Sequence, residues 1–545
     1  MAIRSLLGVL PMLAVAWLAA PAMAQTGQSA VAPVTIAAAP RLHFTPEEMA
    51  LATAVAGDPG LAAFYGGNGL RPIFQGESAQ PRRAALLAAI AGAPRHGIPS
   101  GRYAPDTLEP DTLEMAANSG GLSAELAHAR ALSQLLADLS GGVLNPSRVD
   151  GEIKRDRSQD AVPGLIAAFA ASPDPAAVIA SAAPGHPAYR ALQQALSGRD
   201  DLSVPAHLPR VPEAVWRIGA SGADLPLMRA RLTAMGFDAA APDPRLYDAD
   251  LALAVRAFQQ AAGLSADGIA GPQTIRYLNG DGPSGQDARE RAIIVALERL
   301  RWMGSHDLMA RHVWVNIPEF STTIVENGAE VFRTRSVVGK DTPEMRTPEF
   351  SDMLAYLVVN PSWNVPRSIT TRDYLPKLRA NRNALSHLDV IDGRGNVVPR
   401  DAVDFSAARF PYRLRQKPSD DNALGIVKFI FPNQWNIYLH DTPTKHLFGN
   451  RVRAYSNGCI RIGDPVDLAY ALLSRQTDDP AGMFRRARDS GRETWLNLRP
   501  ALPVHLVYFT AWPDDQGRVR LFDDVYDRDA RVWRALEAEG FGVQG

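Results

Sequence analysis

The chain has 545 residues, too many for a single hydrophobic core, so three or four domains are expected. Its 57 Lys and Arg stand against 58 Asp and Glu, a formal net charge of −1 that argues against a general nucleic-acid binder. Cys459 is the one cysteine, which excludes an intramolecular disulfide.

At the N-terminus Arg4 is the sole charge among the first 24 residues. An apolar run from Leu6 to Ala20 follows, and Ala22-Met23-Ala24 precedes Gln25. This is the order of a secretory signal peptide over 1–24, cleaved after Ala24, which predicts export to a periplasm. The other reading is an uncleaved anchor, for which the apolar run is short. No later stretch is apolar enough to span a bilayer, so the mature chain is expected to carry no transmembrane segment. Residues 25–40, rich in Ala and Pro, read as a flexible leader.

Residues 41–215 are Ala-rich with helical periodicity. Leu132, Leu135, Leu136 and Leu139 share one face of a helix that should end at Gly141-Gly142. No catalytic constellation is visible there, and a helical scaffold is expected. Residues 222–280 form a compact three-helix unit. Leu227, Leu232 and Met235 precede a closing Gly236, and Leu251, Ala254, Val255 and Phe258 line a second helix that should stop at Gly263. Asp267-Gly268-Ile269-Ala270-Gly271-Pro272 then makes a turn before a third helix through Thr274 and Leu278. A polar linker follows from Gly280 to Asp287, and a helix over 288–303.

From His312 the pattern turns to strands. His312 to Ile317 alternates, Asn327-Gly328 reads as a hairpin turn, and Val331 to Val338 and Leu354 to Val359 continue a sheet. The fold class is therefore multidomain α+β, with a β-rich catalytic domain over 288–545. A long excursion at about 367–425 reads as a lid. Carried on to Lys428, it holds 12 Lys and Arg against 7 Asp. That excess would suit an anionic substrate, or would simply be a solvated basic surface.

The chemistry concentrates between Phe429 and Leu468. In Asn436-Ile437-Tyr438-Leu439-His440, alternation sends Tyr438 and His440 to one face. Nineteen residues past His440, Ser456-Asn457-Gly458-Cys459-Ile460-Arg461-Ile462 would place Cys459 and Arg461 together, with Ile460 and Ile462 inward. Gly458 permits an unusual φ beside the thiol and suits an oxyanion site of main-chain N–H groups. A nucleophilic cysteine needs a base or cation to populate its thiolate, and His440 or, in the loop after Pro443, His446 could supply it. The geometry of alternation favours His440. A helix should start at Asp464-Pro465, with Val466, Ala469, Leu472 and Leu473 as its apolar face.

Tyr438-Leu439-His440-Asp441-Thr442-Pro443, taken with Ser456-Asn457-Gly458-Cys459-Ile460-Arg461, resembles the active-site signature of YkuD-type L,D-transpeptidases. Asn360-Pro361-Ser362-Trp363-Asn364-Val365-Pro366, Leu424-Gly425-Ile426-Val427-Lys428-Phe429 and Phe431-Pro432-Asn433 look like further family segments. Val507 to Trp512 and Asp524-Val525-Tyr526 resemble the large Gram-negative subgroup, which has a helical scaffold, a peptidoglycan-binding-like module and a lid. Arg231-Leu232, Tyr247-Asp248, Phe258-Gln259 and Asp267-Gly268 carry the likeness of 222–280 to that module, as a glycan binder or as a spacer of the same fold. Asn457 departs from the pattern, since His or Ser is commoner there.

The resemblance implies that Cys459 attacks the meso-diaminopimelate carbonyl of a tetrapeptide stem and releases D-Ala. A second stem's amine would take the thioester, giving a 3→3 cross-link. His440 would be base then acid, amides around Gly458 and Cys459 would hold the oxyanion, and Tyr438 and Arg461 would position the site. Ser456, Asn457 and Trp435 would meet substrate, and a carbapenem would acylate Cys459. No cofactor or metal is implied. Transfer to water would make a carboxypeptidase, transfer to a protein amine an anchoring ligase, and loss of chemistry a wall-binding protein.

Overall fold

The computed structural model describes residues 44–108, 121–158, 160–197, 207–262, 264, 266–280 and 285–542. The expected signal peptide and leader, the helix stop at Gly263 and the linker residues 281–284 lie outside them. No helix among the described residues is long and apolar enough to cross a membrane.

The Ala-rich segment folds as helices around Leu122–Gly141. Leu132, Leu135, Leu136 and Leu139 are all buried, and the helix ends where Gly142 takes φ +84°, in the left-handed region that favours glycine. Its apolar core is shared with distant parts of the chain. Ile294 and Val295 of the helix Gly285–Arg301, Trp302 just beyond it, and Val532, Trp533 and Leu536 of the helix Arg528–Ala538 all enter the same cluster. The C-terminal helix therefore closes the scaffold's core rather than the sheet's.

The helices Leu225–Ala234, Ala249–Ala261 and Pro272–Asn279 enclose a separate small core. Leu251, Ala254, Val255 and Phe258 point into it as their spacing predicts. Arg231, fully buried, ties this unit together by donating to the Leu278 and Leu208 carbonyls.

The remaining strands run in chain order: β1 (His312–Asn316), β2 (Ser321–Glu326), β3 (Ala329–Gly339), β4 (Phe350–Val359), β5 (Trp363–Asn364), β6 (Leu388–Ile391) and β7 (Arg413–Gln416). They continue with β8 (Val427–Ile430), β9 (Leu439–His440), β10 (Ala454–Ser456), β11 (Ile460–Ile462), β12 (Thr494–Val507), β13 (Ala511–Pro513) and β14 (Val519–Leu521). The main sheet has the order β10-β3-β11-β9-β8-β4-β12-β1-β2, and β2 also pairs with β3, so eight strands close on themselves. Asn327 and Gly328, at φ +51° and +74°, make the tight β2–β3 turn.

The alternation expected of His312 to Ile317 is not a buried face against a wet one. All five residues of β1 are buried, because Val313 and Val315 face the barrel core while Trp314 faces helices. Those helices, Gly285–Arg301 and Pro187–Ser197, present Leu297, Leu300, Tyr189 and Leu192 to Trp314. The excursion after β5 is a folded subdomain with its own sheet, β5-β7-β6, and its own core around Trp363, Leu378, Val390, Phe405, Phe410 and Leu414. Most of its basic side chains are spent inside it. Arg400 donates to four carbonyls, Arg379 to two, and Arg415 and Lys417 face Asp389. Among its cations only Arg367 and Arg372 reach the cleft described next.

Candidate active site

A cleft of about 900 Å³ opens between the excursion, the ends of β9 and β11, and a strip of the scaffold. Trp435, Tyr438, His440, Ser456, Asn457, Gly458, Cys459 and Arg461 all line it. His446 does not. It sits exposed on the short helix Lys445–Gly449.

Parallel pairing of β9 with β11 creates the convergence, with Leu439 opposite Ile460 and His440 opposite Arg461. Leu439, Ile460 and Ile462 are fully buried in the barrel, so Tyr438, His440 and Arg461 take the other face, while Cys459, just before β11, lines the cleft and also packs against the barrel cluster. The approach to β9 is a turn rather than a strand. Asn436 takes φ +55°, and the Asn433 side chain brackets the turn by accepting from the Trp435 and Ile437 N–H groups and donating to the Phe431 and Ile437 carbonyls.

His440 is buried, and its Nδ1 lies 2.5 Å from the Asp441 carbonyl oxygen. A carbonyl only accepts, so Nδ1 carries the proton and Nε2 keeps a free lone pair. Burial first, then the Arg461 guanidinium, push the imidazole down to about 3. The Asp441 carboxylate is itself held, by the Ile426 and Thr442 N–H groups and Lys445. It packs so closely on Gly425, at φ +58°, that a Cβ there would lie 2.2 Å from its oxygen.

Cys459 is half-buried, with Sγ 3.6 Å from the Asn436 carbonyl. Burial pushes its thiol up to about 11, and neighbouring Tyr438 and Arg461 only partly offset that. Burial therefore disfavours the charged form of both groups, the thiolate and the imidazolium. Arg461 donates to Thr444 Oγ1 at 3.0 Å, has no carboxylate partner among the described residues, and leaves its Nε unpaired. Trp435 packs against Phe350 with the rings inclined at 53° and their centroids 4.5 Å apart.

The loop before the thiol is hydrogen-bonded within itself. Gly458 takes φ +108°, as its place beside Cys459 suggests. Its N–H, however, donates to Ser456 Oγ at 3.1 Å, so it is not free for an oxyanion. Ser456 Oγ donates in turn to the Cys459 carbonyl, which engages the hydroxyl's proton inside the loop. The Cys459 N–H has no partner among the described residues. Asn457 is exposed, and its amide oxygen accepts from Arg372 Nη2 of the excursion at 3.0 Å.

Several cleft residues carry no local signal in the sequence. Glu152 and Lys154 come from the scaffold, carried in by the bridge between Ile153 and Glu349. Arg346 and Arg372 are ordinary surface-type residues until the fold brings them in. No group of three or more His, Cys, Asp or Glu among the described residues could hold a metal ion.

Three family models match separate parts of the chain. Residues 310–480 match the family model of the L,D-transpeptidase catalytic domain, YkuD, and residues 59–196 match a scaffold domain. Residues 221–278 match the family described as "Putative peptidoglycan binding domain". A curated relative from Haemophilus influenzae, named "Putative L,D-transpeptidase", is 36% identical over 228 residues, covering 40% of this chain and 45% of its own. The chain thus spans less than half the length of that relative. An L,D-transpeptidase structure from Mycobacterium smegmatis is 12% identical over 36% of this chain and 58% of that one, with a TM-score of 0.17. Another from Xylanimonas cellulosilytica is 15% identical over 55% of this chain and 98% of that one, also at 0.17.

Proposed function

Because residues 310–480 belong to the YkuD family of L,D-transpeptidase catalytic domains, we propose that this chain cross-links peptidoglycan stem peptides through a thioester on Cys459. The observation that carries the proposal is one cleft holding a thiol, an imidazole whose Nδ1 is bonded to a carbonyl so that Nε2 is free, and an N–H on the thiol's own residue without a partner among the described residues.

The steps follow from these groups. Cys459 Sγ attacks the meso-diaminopimelate carbonyl of a tetrapeptide stem. The S–C bond forms, the thiol proton passes to His440 Nε2, and the carbonyl π pair moves to oxygen, where the Cys459 N–H meets it. Collapse breaks the C–N bond to D-Ala, and His440 returns the proton to the leaving amine. A second stem's amine then attacks the thioester, His440 takes its proton, and the departing thiolate recovers it. The product is a 3→3 cross-link. With both groups neutral at rest, proton transfer accompanies attack instead of preceding it. Arg461, lacking a carboxylate partner, offers its charge to the anionic stem, and Tyr438 flanks the sulfur.

The same reading makes the chain an exported, periplasmic wall enzyme open to acylation by carbapenems, with residues 222–280 as a glycan binder or a spacer of that fold. Mass spectrometry of muropeptides incubated with the purified protein tests it. Cross-linked dimers are expected. Shortened monomers alone would mean hydrolysis, and unchanged muropeptides would end the enzymatic reading.

A further inference from the structure

Thr347 lies outside the chemistry just described, yet it touches the loop that carries the nucleophile. Its side chain is fully buried between two glycines that allow close approach. A Cβ on Gly339 would lie 1.9 Å from the Met345 carbonyl oxygen, and one on Gly458 would lie 3.7 Å from both the Met345 and Arg346 carbonyl oxygens. In that gap the Gly339 N–H donates to Thr347 Oγ1 at 2.9 Å. The hydroxyl has a single proton, and it goes to the Gly458 carbonyl at 2.8 Å. The segment is held from behind as well, since Arg528 Nη2 donates to the Thr347 carbonyl at 2.9 Å.

The Gly458 carbonyl and the Cys459 N–H belong to one planar trans peptide and point in opposite directions. Whatever holds the first aims the second. We propose that Thr347 is a positioning residue: by fixing the Gly458 carbonyl toward the protein interior, it turns the Cys459 N–H toward the cleft, where the oxyanion forms. Gly458, free of a side chain and at φ +108°, would otherwise let that peptide plane rotate. Ser456 cannot do this alone, because it bonds the Gly458 N–H and the Cys459 carbonyl, which lie in the two flanking peptide planes.

The inference rests on the thioester reading, and its test separates the two. Carbapenem acylation of Cys459 passes through a tetrahedral oxyanion. Alkylation by iodoacetamide displaces iodide at a saturated carbon and forms none. With one cysteine in the chain, intact mass follows both reactions on the full-length protein. Thr347→Val keeps the shape without the hydroxyl, and Thr347→Ala removes the hydroxyl with no risk of overpacking. Both should acylate about 10- to 100-fold more slowly, as expected when an oxyanion donor is misaimed, and alkylate within about twofold of the parent. Thr347→Ser should restore acylation to within about threefold. Parental acylation in both hydroxyl-free variants, or acylation and alkylation falling in proportion, would overturn the role. A parent protein that alkylates but never acylates would instead defeat the thioester reading itself.

Discussion

At the scale of the residue, the proposed nucleophile and base share a cleft in which burial disfavours the charged form of each. Removal of either member should be decisive. Cys459→Ala should abolish turnover, and His440→Ala should lower kcat by about 10²- to 10⁴-fold, the usual contribution of a positioned acid–base. Exposed His446, outside the cleft, should tolerate alanine with little change. Steady-state assay of the three variants checks this, and an indispensable His446 would reverse the assignment. The pH dependence follows from the same two groups. His440 titrates at about 3 and Cys459 at about 11, so the competent form, neutral base with protonated thiol, persists across the intervening range. The acylation rate should show no midpoint between about pH 5 and pH 9. An acid limb near 6.5, the ordinary histidine value, would mean that burial does not hold the imidazole down.

At the scale of the element, the excursion meets the nucleophile's loop through Arg372 and Asn457. Both side chains are exposed, so the contact adds at most about 1 kcal/mol to stability. Its consequence is geometric, since it ties the subdomain of β5, β6 and β7 to the residue two before Cys459. Arg372→Ala and Asn457→Ala should each raise KM for a stem peptide several-fold with unchanged melting temperature. The double variant should be no worse than either single one, because both remove one contact. Fully additive losses in kcat/KM would show that the two residues act separately. Asn457, the departure from the family pattern, thus has a partner that His or Ser would meet differently.

At the scale of the whole molecule, a buried charge network joins parts far apart in the chain. Glu349, just before β4, receives Arg299 Nη1 at 2.9 and 2.7 Å and Arg528 Nη1 at 3.4 Å. Arg299 also pairs with Asp529, and Asp150 of the scaffold pairs with Arg531. Glu349→Ala would leave two buried guanidinium groups short of a partner, a loss of about 3–5 kcal/mol. Chemical denaturation should register it, and a change below about 1 kcal/mol would show that Asp529 and Asp150 suffice. Acid acts on the fold through buried histidines. Burial, the largest cause in both, holds His440 at about 3 and His505 at about 2, below the ordinary value. The unfolded chain therefore takes up protons first, and the stability that these groups contribute above about pH 6.5 is lost as pH falls toward their folded values. Denaturant midpoints should decline steadily from pH 6.5 to pH 4, and a flat profile over that range would contradict the burial of both rings.

The period of two through 438–440 and 460–462 by itself put Tyr438, His440 and Arg461 on one face, because side-chain direction in a strand is a local property. The Asn327-Gly328 hairpin, the helix over Leu132 to Leu139 and the core face through Leu251 and Phe258 were legible for the same reason. Tertiary structure alone decided the rest. It spent the Gly458 N–H on Ser456, brought Arg372 to Asn457 and Thr347 to Gly458, and carried Glu152 and Lys154 into the cleft. It also disfavours the charged form of both members of the pair, since burial is the largest cause of both shifts. Partners 85 and 111 residues apart, and the removal of water from a thiol and an imidazole, depend on which surfaces meet in the folded chain. No window of sequence contains that meeting.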